Sequence, residues 1–196
     1  ARGLLVRKNI SWGYTALGGA TYEYDLAGRL KRVDQTSYAD PELGTRDLAA
    51  SVVYKYDTSA AINAGACAAA LDPSLLDYGK GRLTAVQDGA GTTFVLYDGF
   101  GNVAKELRFH DTGLTTCQIT TYQHDLRGNI TETTSPAGKK HKRTYNAGNV
   151  SNIDLMYENQ GSTVNVAHGI SWRIEGVIAG YAEPNGTQFS FDYSKA

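Results

Sequence analysis

Asp25, Asp98 and Asp125 are the first residues that could act as acids or bases. Carboxylate acid–base chemistry needs environments that drive two pKa values apart. These three share one setting instead. Each follows an aromatic or imidazole ring and is followed three residues later by glycine: Gly28, Gly101 and Gly128. Equal surroundings point to a structural turn. His110, His124, His141 and His168 show no ligand spacing, and Cys67 and Cys117 are the only cysteines, so the pattern does not describe a zinc site. There is no Gly-x-Ser-x-Gly elbow, and Gly79-Lys80-Gly81 is too short for a phosphate loop. Lys139-Lys140-His141-Lys142-Arg143 is the one basic run. It reads as a solvated strand whose lysines guard an edge, with a polyanion or glycan contact as the alternative.

The element that positions each aspartate is best seen in Tyr22-Glu23-Tyr24-Asp25-Leu26-Ala27-Gly28-Arg29-Leu30. Residues two apart on a strand share a face, so Tyr22 and Tyr24 point the same way. Asp at the head of a type I turn bonds the backbone further on. A glycine after it takes positive φ and starts the return strand with a bulge. The unit recurs. Tyr97-Asp98 with Gly101, and Tyr122-Gln123-His124-Asp125 with Gly128, keep the spacing. Tyr145-Asn146-Ala147-Gly148 is one residue shorter, with Asn for Asp. Tyr54-Lys55-Tyr56-Asp57 begins a copy whose turn is opened by an insertion over residues 58–80, the exit strand resuming at Gly81-Arg82-Leu83. Phe189-Ser190-Phe191-Asp192 begins a last copy.

Three good copies and three degenerate ones resemble the tyrosine-aspartate (YD) repeat, YxYDxxGRL or YxYDxxGN, of the Rhs family. The repeat also occurs in C components of insecticidal toxin complexes, bacterial wall-associated proteins and teneurins. Ile170-Ser171-Trp172, Gly176-Val177-Ile178 and Asn185-Gly186-Thr187 resemble the variant unit that often precedes a YD copy. The resemblance implies a sheet of hairpins that spirals into a shell around a passenger toxin. It implies a structural segment without catalysis or cofactor, exported as part of a larger bacterial protein and found secreted or at the cell surface. Its partners would be the remaining repeats and the enclosed toxin. A carbohydrate-binding or adhesion module is the alternative, with glycans as partners. Nothing here resembles the autoprotease region of full-length Rhs proteins.

Size and composition fit an all-β array of side-by-side antiparallel hairpins spanning 1–196. Twenty-two Gly and thirteen Tyr suit many turns and half-buried strands. A formal net charge of −1 gives no pull toward nucleic acid, and no apolar run reaches the about 18 residues of a membrane span. The chain begins within the pattern and without a signal sequence, as expected of a piece of a longer protein. Cys67 and Cys117 are either bridged, which would add about 3–4 kcal/mol by loop closure, or two buried thiols.

Further expectations follow in chain order. Gly18-Gly19 is a bend, residues 37–48 are a loop, and Arg46–Asp57 form the approach to the second copy. Residues 66–71 form a short helix, because Ala is the best helix former, and Pro73 opens a second helical turn. The insertion lays small apolar residues on the sheet. Asp88–Gly91, Asp111–Gly113, Ser135–Gly138 and Glu183–Gly186 are turns, the last with Asn-Gly as a two-residue hairpin signal.

Overall fold

The structure, a computed structural model, describes residues 3–12, 15–36, 38–40, 44–46, 51–57, 64–110, 116–156 and 163–193. The chain is all-β, with few helical residues, and divides into two compact units. The first comprises residues 1–101 and 106–118, the second 102–105 and 119–196.

The first unit holds β1 (Arg7–Trp12), β2 (Thr15–Tyr24), β3 (Leu30–Thr36), β4 (Tyr38–Asp40), β5 (Gly44–Arg46), β6 (Ser51–Tyr56), β7 (Leu83–Asp88), β8 (Gly91–Tyr97) and most of β9 (Val103–His110). Its sheet runs β1-β2-β3-β6-β7-β8-β9, so neighbours in space are neighbours in the chain. β4 and β5 pair with each other as a separate ribbon. The expected loop over residues 37–48 is therefore corrected: six of those residues form this ribbon, and Arg46 belongs to it rather than to β6. Gly18 and Gly19 lie inside β2, opposite Ile10 and Asn9, and are not a bend. A ladder of backbone bonds overrides the local preference of glycine for turns. The turn expected at Asp111–Gly113 lies outside the described residues.

The insertion begins with a 3-10 turn at Gly65–Ala70, continues through α1 (Pro73–Leu76), and ends in another 3-10 turn at Asp77–Gly79. The first segment is not the α-helix that alanine content suggests. Six residues with no side-chain cap cannot repay nucleation, so packing decides their form. Pro73 does open α1, and the Asp72 carboxylate caps it by accepting from the Ser74 N–H at 3.0 Å. The insertion folds back on the sheet. A Cβ on Gly65 would fall within the Phe109 ring, and one on Gly79 would meet Thr84. Cys67 is bridged to Cys117, 50 residues on. Closing a loop of that length contributes about 4 kcal/mol in the chain-entropy account.

Beneath the insertion lies the core. Ala85, Phe94 and Leu107 are wholly buried with Cys67, and Leu96 is 1% exposed. Phe94 and Leu96 share one face of β8 by alternation, and Ala85 stands opposite Phe94 on β7. Phe94, Leu96 and Leu107 each stabilise by roughly 1.5–3 kcal/mol when fully buried.

The second unit holds β10 (Gln118–His124), β11 (Ile130–Thr134), β12 (Lys140–Asn146), β13 (Asn149–Met156), β14 (Thr163–Trp172), β15 (Ile178–Ala182) and β16 (Gln188–Ser190), antiparallel and in chain order. Its described buried residues are small or charged: Ala167, Gly180 and Glu132.

Candidate functional site: the seams between hairpins

The repeat turn has one construction wherever it is complete. At Asp25 the backbone N–H donates to the Arg29 carbonyl at 2.9 Å, and the Gly28 N–H returns to the Asp25 carbonyl at 2.9 Å. Gly28 sits at φ +84°, where a side chain would be strained. Register shifts at Glu23/Tyr24, Lys55/Tyr56 and Gln123/His124 record the expected bulge. Asp125 repeats both bonds with Asn129 and Gly128, each at 3.0 Å. At Asp98 the carboxylate accepts from the Phe100 N–H at 2.9 Å, and the Gly101 N–H reaches the Asp98 carbonyl at 3.0 Å.

The copy interrupted by the insertion closes across the gap. The Asp57 N–H donates to the Arg82 carbonyl at 3.0 Å, the bond that Asp25 makes to Arg29. The Gly81 N–H donates to Asp57 Oδ1 at 2.6 Å. The insertion thus hangs from a turn whose end bonds survive. Asn146-Ala147-Gly148-Asn149 is a different turn. Asn146 pairs with Asn149, and both Ala147 (φ 50°) and Gly148 (φ 89°) are left-handed, as a two-residue type I′ hairpin demands.

In the Asp25 and Asp125 turns the carboxylate is held by the residue after the glycine. Arg29 donates its N–H to Asp25 Oδ1 at 2.9 Å and its Nε to Oδ2 at 2.7 Å. Asn129 does the same for Asp125 with its N–H and Nδ2, both at 2.9 Å. These bonds hold both carboxyls below their ordinary value. For Asp25 the backbone N–H of Arg29 leads; for Asp125 the Asn129 side-chain amide does.

Arginine then does what asparagine cannot. Arg29 reaches the next copy, donating to Asp57 Oδ2 at 2.8 Å, with its guanidinium 4.4 Å from the Tyr56 ring centroid. Arg29 is the main cause of the lowered Asp57 pKa, and its own pKa is raised, first by Asp57 and then by Asp25. Arg82 lies over Tyr97 at 5.1 Å and donates to the Gly101 carbonyl. Arg173 lies over Tyr193 at 5.2 Å and donates to the Phe191 carbonyl at 3.0 Å and Asp192 at 3.2 Å.

A second stitch runs through the ring before the turn. Its polar hydrogen goes to the carbonyl of the second residue past the preceding copy's glycine. Tyr24 donates to Leu5 at 2.8 Å, Tyr56 to Leu30 at 2.9 Å and Tyr97 to Leu83 at 2.8 Å. In the second unit Tyr145 donates to Ile130 at 2.9 Å and Tyr193 to Ile178 at 3.0 Å. Trp172 takes the same place through its indole Nε1–H, which meets the Val150 carbonyl at 2.8 Å.

The other expected turn residues have humbler places. Tyr22, Tyr54 and Tyr122 are half-buried on their strands, opposite Val33, Val86 and Thr133. In the last copy Phe191 packs toward Tyr181, at 6.1 Å between centroids, and the stitch passes to Tyr193, after Asp192 rather than before it. The basic run is divided. Lys140 and Lys142 flank the buried Glu132 at 3.3 and 3.7 Å, while Arg143 donates to Thr133.

Sequence reasoning missed the arginines and the turn headed by Arg173, while the turns expected at Ser135–Gly138 and Glu183–Gly186 are present. Ser135, Arg173 and Glu183 head turns with the bond pair seen at Asp25, closed by Gly138, Gly176 and Gly186. The signal was present: glycine three residues on. The Asn-Gly at 185–186 forms no two-residue turn. Pro184 occupies the first turn position and Gly186 the left-handed one, at φ 86°.

Within each unit these elements define a class: an all-β repeat in which hairpins are fastened to their neighbours by a ring hydroxyl or indole and, at Arg29, Arg82 and Arg173, by a guanidinium. The fold is that of a segment of toxin-complex chains. The chain matches the TcdB2-TccC3 structure with TM-score 0.63, 17% identity over 91% of its length, and the same complex without its hypervariable C-terminal region at 0.63 and 16%. It matches the Photorhabdus luminescens Tc holotoxin pore at 0.63 and 16%. In each case it spans 9% of the other chain. No family model and no curated protein matches the chain.

Proposed function

We propose that this chain is a wall segment of an Rhs-type shell that encloses or carries a toxin passenger, and that it performs no catalysis itself. One observation carries the reading. The aspartates, arginines and tyrosines of the seams that could do chemistry are engaged by one another or by backbone groups, in equivalent settings. Such groups fasten a wall; an active site would keep them unequal and unspent. The repeat spelling and the fold shared with segments of toxin-complex chains support the same reading. Among the described residues no helix is long and apolar enough to cross a membrane. The wall acts as part of an exported assembly, with the remaining repeats and the passenger as its partners.

The test uses the chain with its flanking sequence. The passenger that follows should resist protease while the wall is intact. Deleting the hairpin β12–β13 should abolish that protection without changing the passenger's own activity. A passenger equally sensitive in both forms overturns the proposal, as does turnover of a substrate by residues 1–196 alone.

A further inference from the structure

We propose that the Cys67–Cys117 disulfide is a reducible latch, which holds the insertion closed over β7–β9 and which a dithiol opens without dismantling the hairpins. The proposal concerns this chain alone and stands whether or not the chain walls in a passenger.

Three observations carry it. First, the insertion is separable from the sheet. The turn it interrupts is closed by Asp57 to Arg82 and Gly81 to Asp57, so the ladder does not need residues 64–79. Second, the insertion has little regular structure of its own to hold it in place. Its contacts with the sheet include Gly65 on Phe109, Gly79 on Thr84 and Tyr78 on Gly99, and its α-helix is four residues long. Small side chains and single turns hold little without a tether. Third, what it covers is apolar. Phe94, Leu96 and Leu107 are shielded there from water, and the covalent tie joins the middle of the insertion to the segment after β9.

The bridge also has one approachable end. Cys67 is wholly buried, whereas Cys117 is half-buried just before β10. A dithiol thiolate attacks Cys117 Sγ, the S–S bond breaks, and Cys67 leaves as a thiolate that takes a proton from water. The second thiol of the reductant then attacks its own sulfur in the mixed disulfide and releases Cys117. The reductant ends as a disulfide, having given up two hydrogens, and both cysteines end as thiols.

The experiment compares residues 1–196 oxidised and after dithiothreitol, both in native buffer. Before reduction no cysteine should alkylate. After it, elastase cleavage within residues 64–79 should quicken by up to about a thousandfold, as expected once loop closure no longer suppresses the open form. Fluorescence of a hydrophobic dye should rise, while amide protection of β2–β3 and β12–β13 stays the same. The variant with Cys67→Ser and Cys117→Ser should show the open behaviour without reductant. Alkylation of the untreated native chain overturns the proposal. So does an insertion still protected after reduction, or loss of protection through β2–β3 as well.

Discussion

Two stretches of the same repeat meet the weakness of a single-layer sheet in different ways. Between Ala85 and Leu107 the sheet carries a second layer, the insertion, and buries Phe94, Leu96 and Leu107 beneath it. Between Lys140 and Ala182 no described element gives the strands such cover. Buried there are Ala167 and Gly180, and Val164 and Val166 stand 46% and 44% exposed. That stretch is held by its ladder and by Tyr145, Trp172 and the lysines on Glu132. One region is stabilised mainly by removing apolar area from water, the other by many directional bonds of modest net value. A repeat with stitched seams therefore tolerates an uncovered face, and a core is an addition at one place rather than a requirement at all.

The sharpest way to break this comparison is to cut the core. Leu107→Ala should cost about 3–5 kcal/mol, read from urea unfolding of the first unit, because it leaves a cavity under a tethered cap. Leu155→Ala, at a half-buried position on β13, should cost about 1–2 kcal/mol in the second unit. Equal losses would mean that the two regions are not held differently.

A glycine pair makes the next test. At Gly91 (φ 144°) a Cβ would run into the Phe109 backbone, whereas at Gly186 (φ 86°) nothing lies within 4 Å. Gly91→Ala should lower stability by about 1–3 kcal/mol through overpacking and strain together. Gly186→Ala should cost about 1 kcal/mol, from the left-handed backbone alone. Hydrogen exchange resolved by segment separates the two.

Much of the array is legible in the spelling because the repeat puts backbone demand and residue type in register. Asp then glycine three on names the turn, and Tyr two apart names the strand face. The exit of the interrupted copy at Gly81 is legible for the same reason. What escapes is what depends on a neighbouring hairpin. Arg29 looks like the start of an exit strand; only the next copy shows that it clasps Asp57 and Tyr56. Trp172 fills the tyrosine place with a different ring. The β4–β5 ribbon and the 3-10 turn at Gly65 were hidden because tertiary pairing and packing overrode local preference. The bridge was left open because Cys67 lies in the one non-repetitive segment, where spacing says nothing about distance.

The ring stitches come next in size. Tyr145→Phe in the second unit and Tyr56→Phe in the first each remove one hydroxyl donor and leave a carbonyl, of Ile130 or Leu30, without it. Each should cost about 0.5–1.5 kcal/mol. Amide protection near β12–β13 should fall further than near β6–β7, because the covered region has other support. The reverse order would show that the seam matters more where the core lies.

The smallest effect is one of pH, and it separates the Arg seam from the Asn seam. Asp25, Asp57 and Asp125 are all held below their ordinary value of 3.8. A carboxylate lowered on folding stabilises fully above its unfolded pKa, and that contribution fades as pH falls through the folded one. The loss should therefore begin near 3.8 and deepen below it, with nothing changing between neutral pH and about 5. In the first unit Asp25 and Asp57 share Arg29, so protonating either loosens a contact that spans two copies. In the second unit Asp125 holds only its own turn, through Asn129. Acid should thus loosen a contact joining the Tyr24 and Tyr56 copies in the first unit, but only a single turn at Asp125. Asp57→Asn tests this directly. At neutral pH it should weaken protection around β3–β6, and between about pH 4 and 2 its further loss should be shallower than that of the parent chain. Since Arg29 would still cap Asp25, the first turn should keep its shape. If the acid response of the variant matched that of the parent, the Arg29–Asp57 contact would contribute nothing to joining the hairpins.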